Sequence, residues 1–266
     1  MPNYALSVEY DGSCFFGWQK QTSLKSVQES LESALNIILH KNPHSKLCVA
    51  GRTDTGVHAL GMICNFKTEF PIPNDYKLIH SVNALSDLGV NARSMTEVPD
   101  DFHARFSCTA REYVYKIYYS KHESVLHRKS AYWLKHHIDW NRIQEQIPYL
   151  LGERDFRSFT KAKSMKGKRA IRNIQEIKVE QDPQVKELYQ IRVKANGFMH
   201  NMVRITVGTL LDIGKGRWEH RSIESILEEE DRTQAGMTLP PHGLYFVRAY
   251  YQEFPQIDAL YEPVFP

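Results

Sequence analysis

The sequence predicts an α+β protein built on a largely antiparallel sheet. Three observations predict it. Stretches in which apolar residues recur every second position are spread along the chain. Stretches of helical periodicity separate them. Neighbouring strands close as hairpins rather than through strict helical crossovers. The 266 residues allow one large domain or two modest ones. A hydrophobic fraction of 42% and a charged fraction of 24% are those of a folded globular chain.

Tyr4 to Tyr10 alternates Tyr4, Leu6, Val8 and Tyr10 against Ala5, Ser7 and Glu9, which predicts a strand ending at the Asp11-Gly12 turn. Ser26-Val27-Gln28-Glu29 has the form of a capping box, and Val27, Leu31, Ala34, Leu35, Ile38 and Leu39 then share one helical face. Pro43 stops any continuation. Leu47 to Ala50 is a short buried strand running into Gly51. Met62 to Thr68 is a strand, Tyr76 to Leu85 a helix, and Ala92 to Val98 extended. Arg111 to Tyr119 is a strand with an aromatic face of Tyr113, Tyr115 and Tyr119 around Ile117. Asp139 to Leu151 is helical, with Pro148 as a kink or early end. Ile171 to Glu180 and Leu188 to Ala195 form a hairpin around Asp182-Pro183. Met199 to Ile213 and Ser222 to Glu230 are helices, and Leu244 to Tyr251 is a closing strand.

No internal repeat or long low-complexity linker divides the chain. Two domains, if present, join near Phe102 to Thr109, giving 1–106 and 107–266. No apolar run reaches the roughly 18 residues of a membrane span, and the first residues lack a secretory pattern. Cys14, Cys48, Cys64 and Cys108 are scattered without a CxxC pair, which fits a reducing cytoplasm and disfavours zinc or a disulfide framework. Phosphate-loop, dinucleotide, HExxH and GxSxG patterns are missing. The adjacent His136 and His137 point apart on a helix or a strand and make a poor metal pair.

The 34 basic and 31 acidic residues give a net charge of +3, too small to demand or exclude nucleic acid. Distribution says more. Lys161 to Arg172 reads KAKSMKGKRAIR, six basic residues in twelve with no acid. Such a run serves as a solvated loop or as a phosphate contact. Glu228-Glu229-Glu230-Asp231 is a compact acidic run and reads as a solvated helix end.

The sharpest local feature is Gly51-Arg52-Thr53-Asp54-Thr55-Gly56-Val57-His58-Ala59. Two glycines bracket a cation, a carboxylate and two hydroxyls. Glycine permits a tight turn or close approach of a ligand. The same residues suit an Asx-type turn in which Asp54 caps the loop and Arg52 pairs with it. Tyr113 and Tyr115 serve a core, or stack on a nucleobase. Arg204 lies on an apolar helix. Buried, it needs a partner such as Asp54; otherwise its head reaches solvent. A metal-dependent hydrolase built on Asp54 and His58 lacks further clustered ligands.

These blocks together resemble the tRNA pseudouridine synthase A (TruA) family. The signature loop is Gly51 to Ala59. Tyr10-Asp11-Gly12-Ser13, Phe16-Gly17-Trp18-Gln19 and Ser26-Val27-Gln28 resemble the family's N-terminal block. Asp101-Phe102-His103-Ala104-Arg105-Phe106-Ser107 leads to Arg111-Glu112-Tyr113-Val114-Tyr115. Gly152 to Phe159, Asn196 to Arg204 and Gly243-Leu244-Tyr245 follow. The resemblance covers nearly the whole chain in order. It implies two similar α/β domains around a central, mostly antiparallel sheet with flanking helices and an intervening basic cleft. It implies a cytoplasmic homodimer that binds tRNA, with no metal and no organic cofactor. The implied reaction isomerises uridine to pseudouridine at positions 38–40 of the anticodon stem-loop. Asp54 is then the catalytic carboxylate, Tyr113 the active-site tyrosine that stacks on the uracil, and Arg204 the charge partner. Arg52 holds the flipped nucleotide's phosphate or fills the gap in the stem. Leu244 packs against the target base, and Lys166, Lys168 and Arg169 contact the RNA backbone. Thr55, Met62, Glu112, Val114 and the Ser86-Asp87-Leu88-Gly89 turn depart from the common family residues. A non-catalytic RNA-binding or RNA-folding protein on the same scaffold is the alternative. It would need basic and aromatic surface but no carboxylate at the target.

Overall fold

The computed structural model describes residues 1–161, 170–218 and 221–261. Along the chain run β1 (Asn3–Tyr10), α1 (Val27–Ile38), β2 (Cys48–Val49), β3 (His58–Lys67), α2 (Asp75–Leu85), β4 (Val90–Val98) and β5 (Ala110–Tyr119). Then come β6 (Tyr132–Leu134), α3 (Trp140–Leu150), β7 (Gly152–Asp155), β8 (Ile171–Gln181), β9 (Leu188–Ala195), α4 (Met202–Gly214), α5 (Ile223–Glu229) and β10 (Leu244–Tyr250). The class is α+β, and most strand pairs are antiparallel.

The chain divides into two units, Met1–Arg111 with Tyr245–Pro266, and Glu112–Leu244. The sequence-based division at 1–106 and 107–266 differs from this mainly at the C-terminal end. The reason is a long-range pairing: β10 returns to lie parallel to β3, with Tyr245 opposite His58 and Phe246 opposite Ala59. No local pattern announces a partner that far back in the chain.

In the first unit the strand order is β4-β1-β3-β10, with β2 alongside β3. The alternation in β1 sets the register. Leu6 faces Cys64 of β3 and Met95 of β4, and all three are buried. Ser26 caps α1 by accepting from the Glu29 N–H. The Glu29 carboxylate pairs with Lys20 Nζ at 3.4 Å instead of completing the box. Asn74 caps α2 in the same way through the Lys77 N–H. Val27, Leu31, Ala34 and Leu35 form the buried stripe of α1, as their spacing requires. The C-terminal 3-10 segment Pro255–Tyr261 packs on β1 and β4. Ser94 Oγ donates to the Leu260 carbonyl at 2.8 Å, and the Tyr261 ring fills the space beside Gly61.

In the second unit β9 and β8 form the predicted hairpin, β7 adds to β8, and β6 runs parallel to β5. Residues of α4 are buried nearly throughout, so it is the unit's central helix. Its start is three residues later than the pattern predicts. Asn201 adopts φ 61°, a left-handed turn that asparagine tolerates, and the helix begins only after it. Pro148 sits two residues from the end of α3, where the helix runs out at Leu150. Trp140 stacks on Tyr189 with centroids 4.3 Å apart.

Candidate active site

Asp54 sits in a turn between β2 and β3. The turn closes by the Val57 N–H donating to the Asp54 carbonyl at 3.1 Å, with Gly56 at φ +80°. The residues around Asp54 are anchored. Thr53 is buried, its Oγ1 2.7 Å from the Tyr10 hydroxyl, and its carbonyl accepts from the Trp18 N–H at 3.1 Å. On the far side His58 is buried, 6% exposed. Its Nδ1 accepts from the Gly12 N–H at 3.1 Å, with Asp11 Oδ1 3.2 Å from the same nitrogen. Its ring stacks on Tyr245 at 4.6 Å and 16°. On the near side the Ala50 carbonyl accepts from Arg111 Nε at 2.9 Å, while its N–H donates to Ile63. Arg52 and Thr55 are exposed and Asp54 is half-buried, so the turn carries a carboxylate two residues from an exposed basic side chain.

Two glycines let this turn pack. A Cβ on Gly12 would meet the Val57 carbonyl oxygen at 2.2 Å. One on Gly17, at φ +88°, would meet the Thr53 carbonyl oxygen at 2.7 Å. The glycines of the N-terminal block are therefore the seat of the Asp54 turn. The resemblance supplied that block without a role. Arg111 was missed too, noted only as the residue ahead of the tyrosines. Its signal was a cation at the second position of a largely aromatic and apolar strand, beside Glu112.

In the second unit Tyr113 is buried, with its ring edge-on to Phe198 at 5.0 Å and 84°. Tyr115 is buried deeper and donates from its hydroxyl to the Pro240 carbonyl at 2.8 Å. Burial pushes its phenol well above the ordinary range, against the pull of Arg204. It is a core residue. Glu112, one of the departures, is buried and paired with Arg192. Arg204 lies in the first turn of α4. Its Nε donates to the Leu239 carbonyl and its Nη1 to Asn201 Oδ1, both at 2.7 Å. The left-handed turn at Asn201 thus places an acceptor under the guanidinium. Burial first, then Arg204, holds the His242 imidazole below its usual range. Leu244 is buried. Lys166, Lys168 and Arg169 lie outside the described residues.

Among the described residues no group of three or more His, Cys, Asp or Glu could hold a metal ion. His58 spends its Nδ1 on the Gly12 N–H, so it is a strut of the turn. The chemistry such a turn can perform is that of a carboxylate presented to a ligand beside cations: nucleophilic attack or proton abstraction.

A family model described as tRNA pseudouridine synthase matches residues 6–107 and 147–252. Those spans hold the Asp54 turn, Arg204 and Leu244; Tyr113 lies between them. A protein named tRNA pseudouridine synthase A from Leptospira biflexa serovar Patoc is 67% identical over the full length of both chains. One of the same name from Leptospira interrogans is 44% identical, covering 75% of this chain and 97% of its own. Another, from Caldicellulosiruptor bescii, is 39% identical over 94% of this chain and all of its own. A turn that offers an aspartate on a glycine seat, inside spans that match one family end to end, leaves one assignment: the chain belongs to the tRNA pseudouridine synthase family.

Proposed function

We propose that the protein isomerises uridine to pseudouridine at positions 38–40 of the tRNA anticodon stem-loop, with Asp54 as the reacting carboxylate. The N1–C1′ bond breaks, the uracil turns, and C5 bonds to C1′. The hydrogen on C5 leaves as a proton and N1 gains one. Atoms and electrons are conserved, so the reaction needs no redox carrier. Asp54 either attacks C1′, to be displaced later by C5, or removes the 2′-hydrogen to give a glycal that C5 then adds to. Both routes use the ionised carboxylate.

The observation that carries this reading is the Asp54 turn. Its flanking residues are tied down on both sides, and Asp54 itself is half-buried. A catalytic group gains from such preorganisation, whereas a mere loop cap does not require it. Tyr113 stacks on the extruded uracil, Arg204 supplies positive charge to the reacting centre, and Leu244 packs against the base. Arg52 holds the flipped nucleotide's phosphate, and Lys166, Lys168 and Arg169 contact the RNA backbone. A stem uridine leaves its stack at a cost of a few kcal/mol, which these contacts offset. The protein acts as a homodimer in the cytoplasm.

Asp54→Asn keeps the side-chain size and removes the charge. Tritium release from 5-tritiated uridine tRNA should fall by about 10²-fold or more. The tRNA Kd and the thermal midpoint should stay close to those of the native chain. Turnover at the native rate would remove Asp54 from the chemistry, whereas a native chain that binds tRNA but releases no tritium would restore the non-catalytic reading.

A further inference from the structure

The segment Asp101 to Cys108, between β4 and β5, carries a large apolar side chain in an unusual setting. Phe106 is 77% exposed, forfeiting the stabilisation that burial of a phenyl ring brings. The segment is not loose. Ala104 N–H donates to Asn65 Oδ1 at 2.9 Å, and its carbonyl accepts from the Tyr251 hydroxyl at 2.7 Å. Asn3 Nδ2 donates to the Phe102 carbonyl at 3.0 Å. The Ser107 N–H donates to the His103 carbonyl, and His103 N–H donates to Ser107 Oγ. Backbone N–H groups of Arg105 and Phe106 both point at His103 Nδ1, at 3.1 and 3.4 Å. That nitrogen can accept only as neutral imidazole. Burial, joined by Arg105, holds His103 below its usual range.

The outcome is a fixed shelf. The Phe106 ring has the His103 ring against it at 4.4 Å, and the Arg105 guanidinium lies 5.6 Å from its centroid. Arg105 is itself exposed. The shelf also has an address. Arg111 Nη2 donates to the Arg105 carbonyl at 2.8 Å, and Nε of the same guanidinium donates to Ala50. One side chain thus joins the shelf to the entrance of the Asp54 turn, where Arg52 adds a second exposed cation.

We propose that Phe106 and Arg105 form a nucleobase-stacking site for an RNA nucleotide flanking the target uridine. The base lies on the exposed phenyl face and Arg105 meets its phosphate. An exposed aromatic beside cations is what sequence-tolerant RNA contacts use, because every base has a π-face. A rigid shelf also spares the ordering cost that a flexible side chain would add on binding. The proposal rests on the reading of the protein as a tRNA-modifying enzyme, and adds a substrate contact to it.

The test measures tRNA Kd directly, with pseudouridine formation at saturating tRNA as a separate readout, on Phe106→Ala, Phe106→Leu, Phe106→Trp and Arg105→Ala. Phe106→Ala and Phe106→Leu should each raise Kd by about tenfold, within the range that one stacked base contributes. Phe106→Trp should bind at least as well as the native chain. Turnover at saturation should change less than about twofold. Arg105→Ala should also reduce the slope of log K against log salt by about one. Native Kd in Phe106→Ala overturns the site. So does native binding by Phe106→Leu, which would mean an apolar filler. A changed oligomeric mass in Phe106→Ala would identify the ring as a contact with a second copy, and also overturns it. A native chain that binds tRNA but forms no pseudouridine would sink the functional reading and leave the stacking result standing.

Discussion

Asp54 owes its placement mainly to what happens to its neighbours. Thr53 is pinned through its hydroxyl and its carbonyl, and His58 through a ring stack and an accepted N–H. Gly17 is the tightest of these constraints that a substitution can probe. Its φ of +88° strains any L side chain, and a Cβ would press on the Thr53 carbonyl at 2.7 Å. Gly152 is a natural control. It has a similar φ of +82°, yet the nearest atom to its Cβ is an arginine tip at 3.7 Å. Gly152→Ala should therefore cost only the backbone strain, about 1–3 kcal/mol, and leave turnover per folded molecule intact. Gly17→Ala should cost at least as much. It should also lower turnover, because relieving the clash moves the peptide that carries Asp54. Denaturant melts and single-turnover pseudouridine formation, run on both variants, check the contrast. Equal turnover in the two would mean the turn tolerates displacement.

At the scale of elements, the parts fixed by local chemistry were legible and those fixed from far away were not. The Ser26 cap, strand β1, the β8–β9 hairpin and the α1 stripe through Leu35 depend on residues a few positions apart and stand where the pattern puts them, whereas Ile38 and Leu39 are only half-buried and both faces of β1 are covered. Strand β3 starts at His58 rather than Met62 because its first residues are held by β10, which comes from the end of the chain. The short strands β6 and β7 have too few residues for periodicity to show. The site divides the same way. Asp54 and its loop stood out as a motif, while the seat made by Gly12 and Gly17 and the grip of Arg111 needed the fold. Arg111 belongs to β5 but works on two loops, donating to Ala50, Arg105 and Cys108. Lysine cannot span three carbonyls, since its donors radiate from one nitrogen. Arg111→Lys should keep the charge yet lower kcat by about tenfold, with KM less affected. Added guanidinium ion should partly rescue Arg111→Ala but not Arg111→Lys, whose amine fills the site. Loss of activity with no rescue, in step with loss of the folded fraction, would reduce Arg111 to a stability role.

Acid sensitivity is a property of the whole chain, and each unit contributes a histidine to it. His103 in the first unit and His242 in the second both have their imidazole held below its ordinary range, by burial first and by a nearby arginine as well. The unfolded chain takes up those protons at about pH 6.5, while the folded chain resists them to lower pH. Below about 6.5 the unfolded state therefore binds more protons, and stability must fall as pH falls. A second stage lies lower. Asp100, Asp182 and Asp231 are depressed, Asp100 mainly by Lys67, Asp182 by the N–H groups of Gln184 and Val185, and Asp231 by Thr233. Their stabilisation is complete above about pH 3.9 and is lost as pH drops through that value toward the folded ones. Asp100 and Asp231 are exposed and Asp182 is only half-buried, so this stage should be shallow and should weaken further in salt. Thermal midpoints between pH 7.5 and 3.5 should then decline in two steps, level above about 7. Replacing both histidines by asparagine, which still offers an oxygen acceptor to the N–H groups at His103, should flatten the upper step and leave the lower one. An upper step of native size in that double variant would mean that other groups set the acid limit.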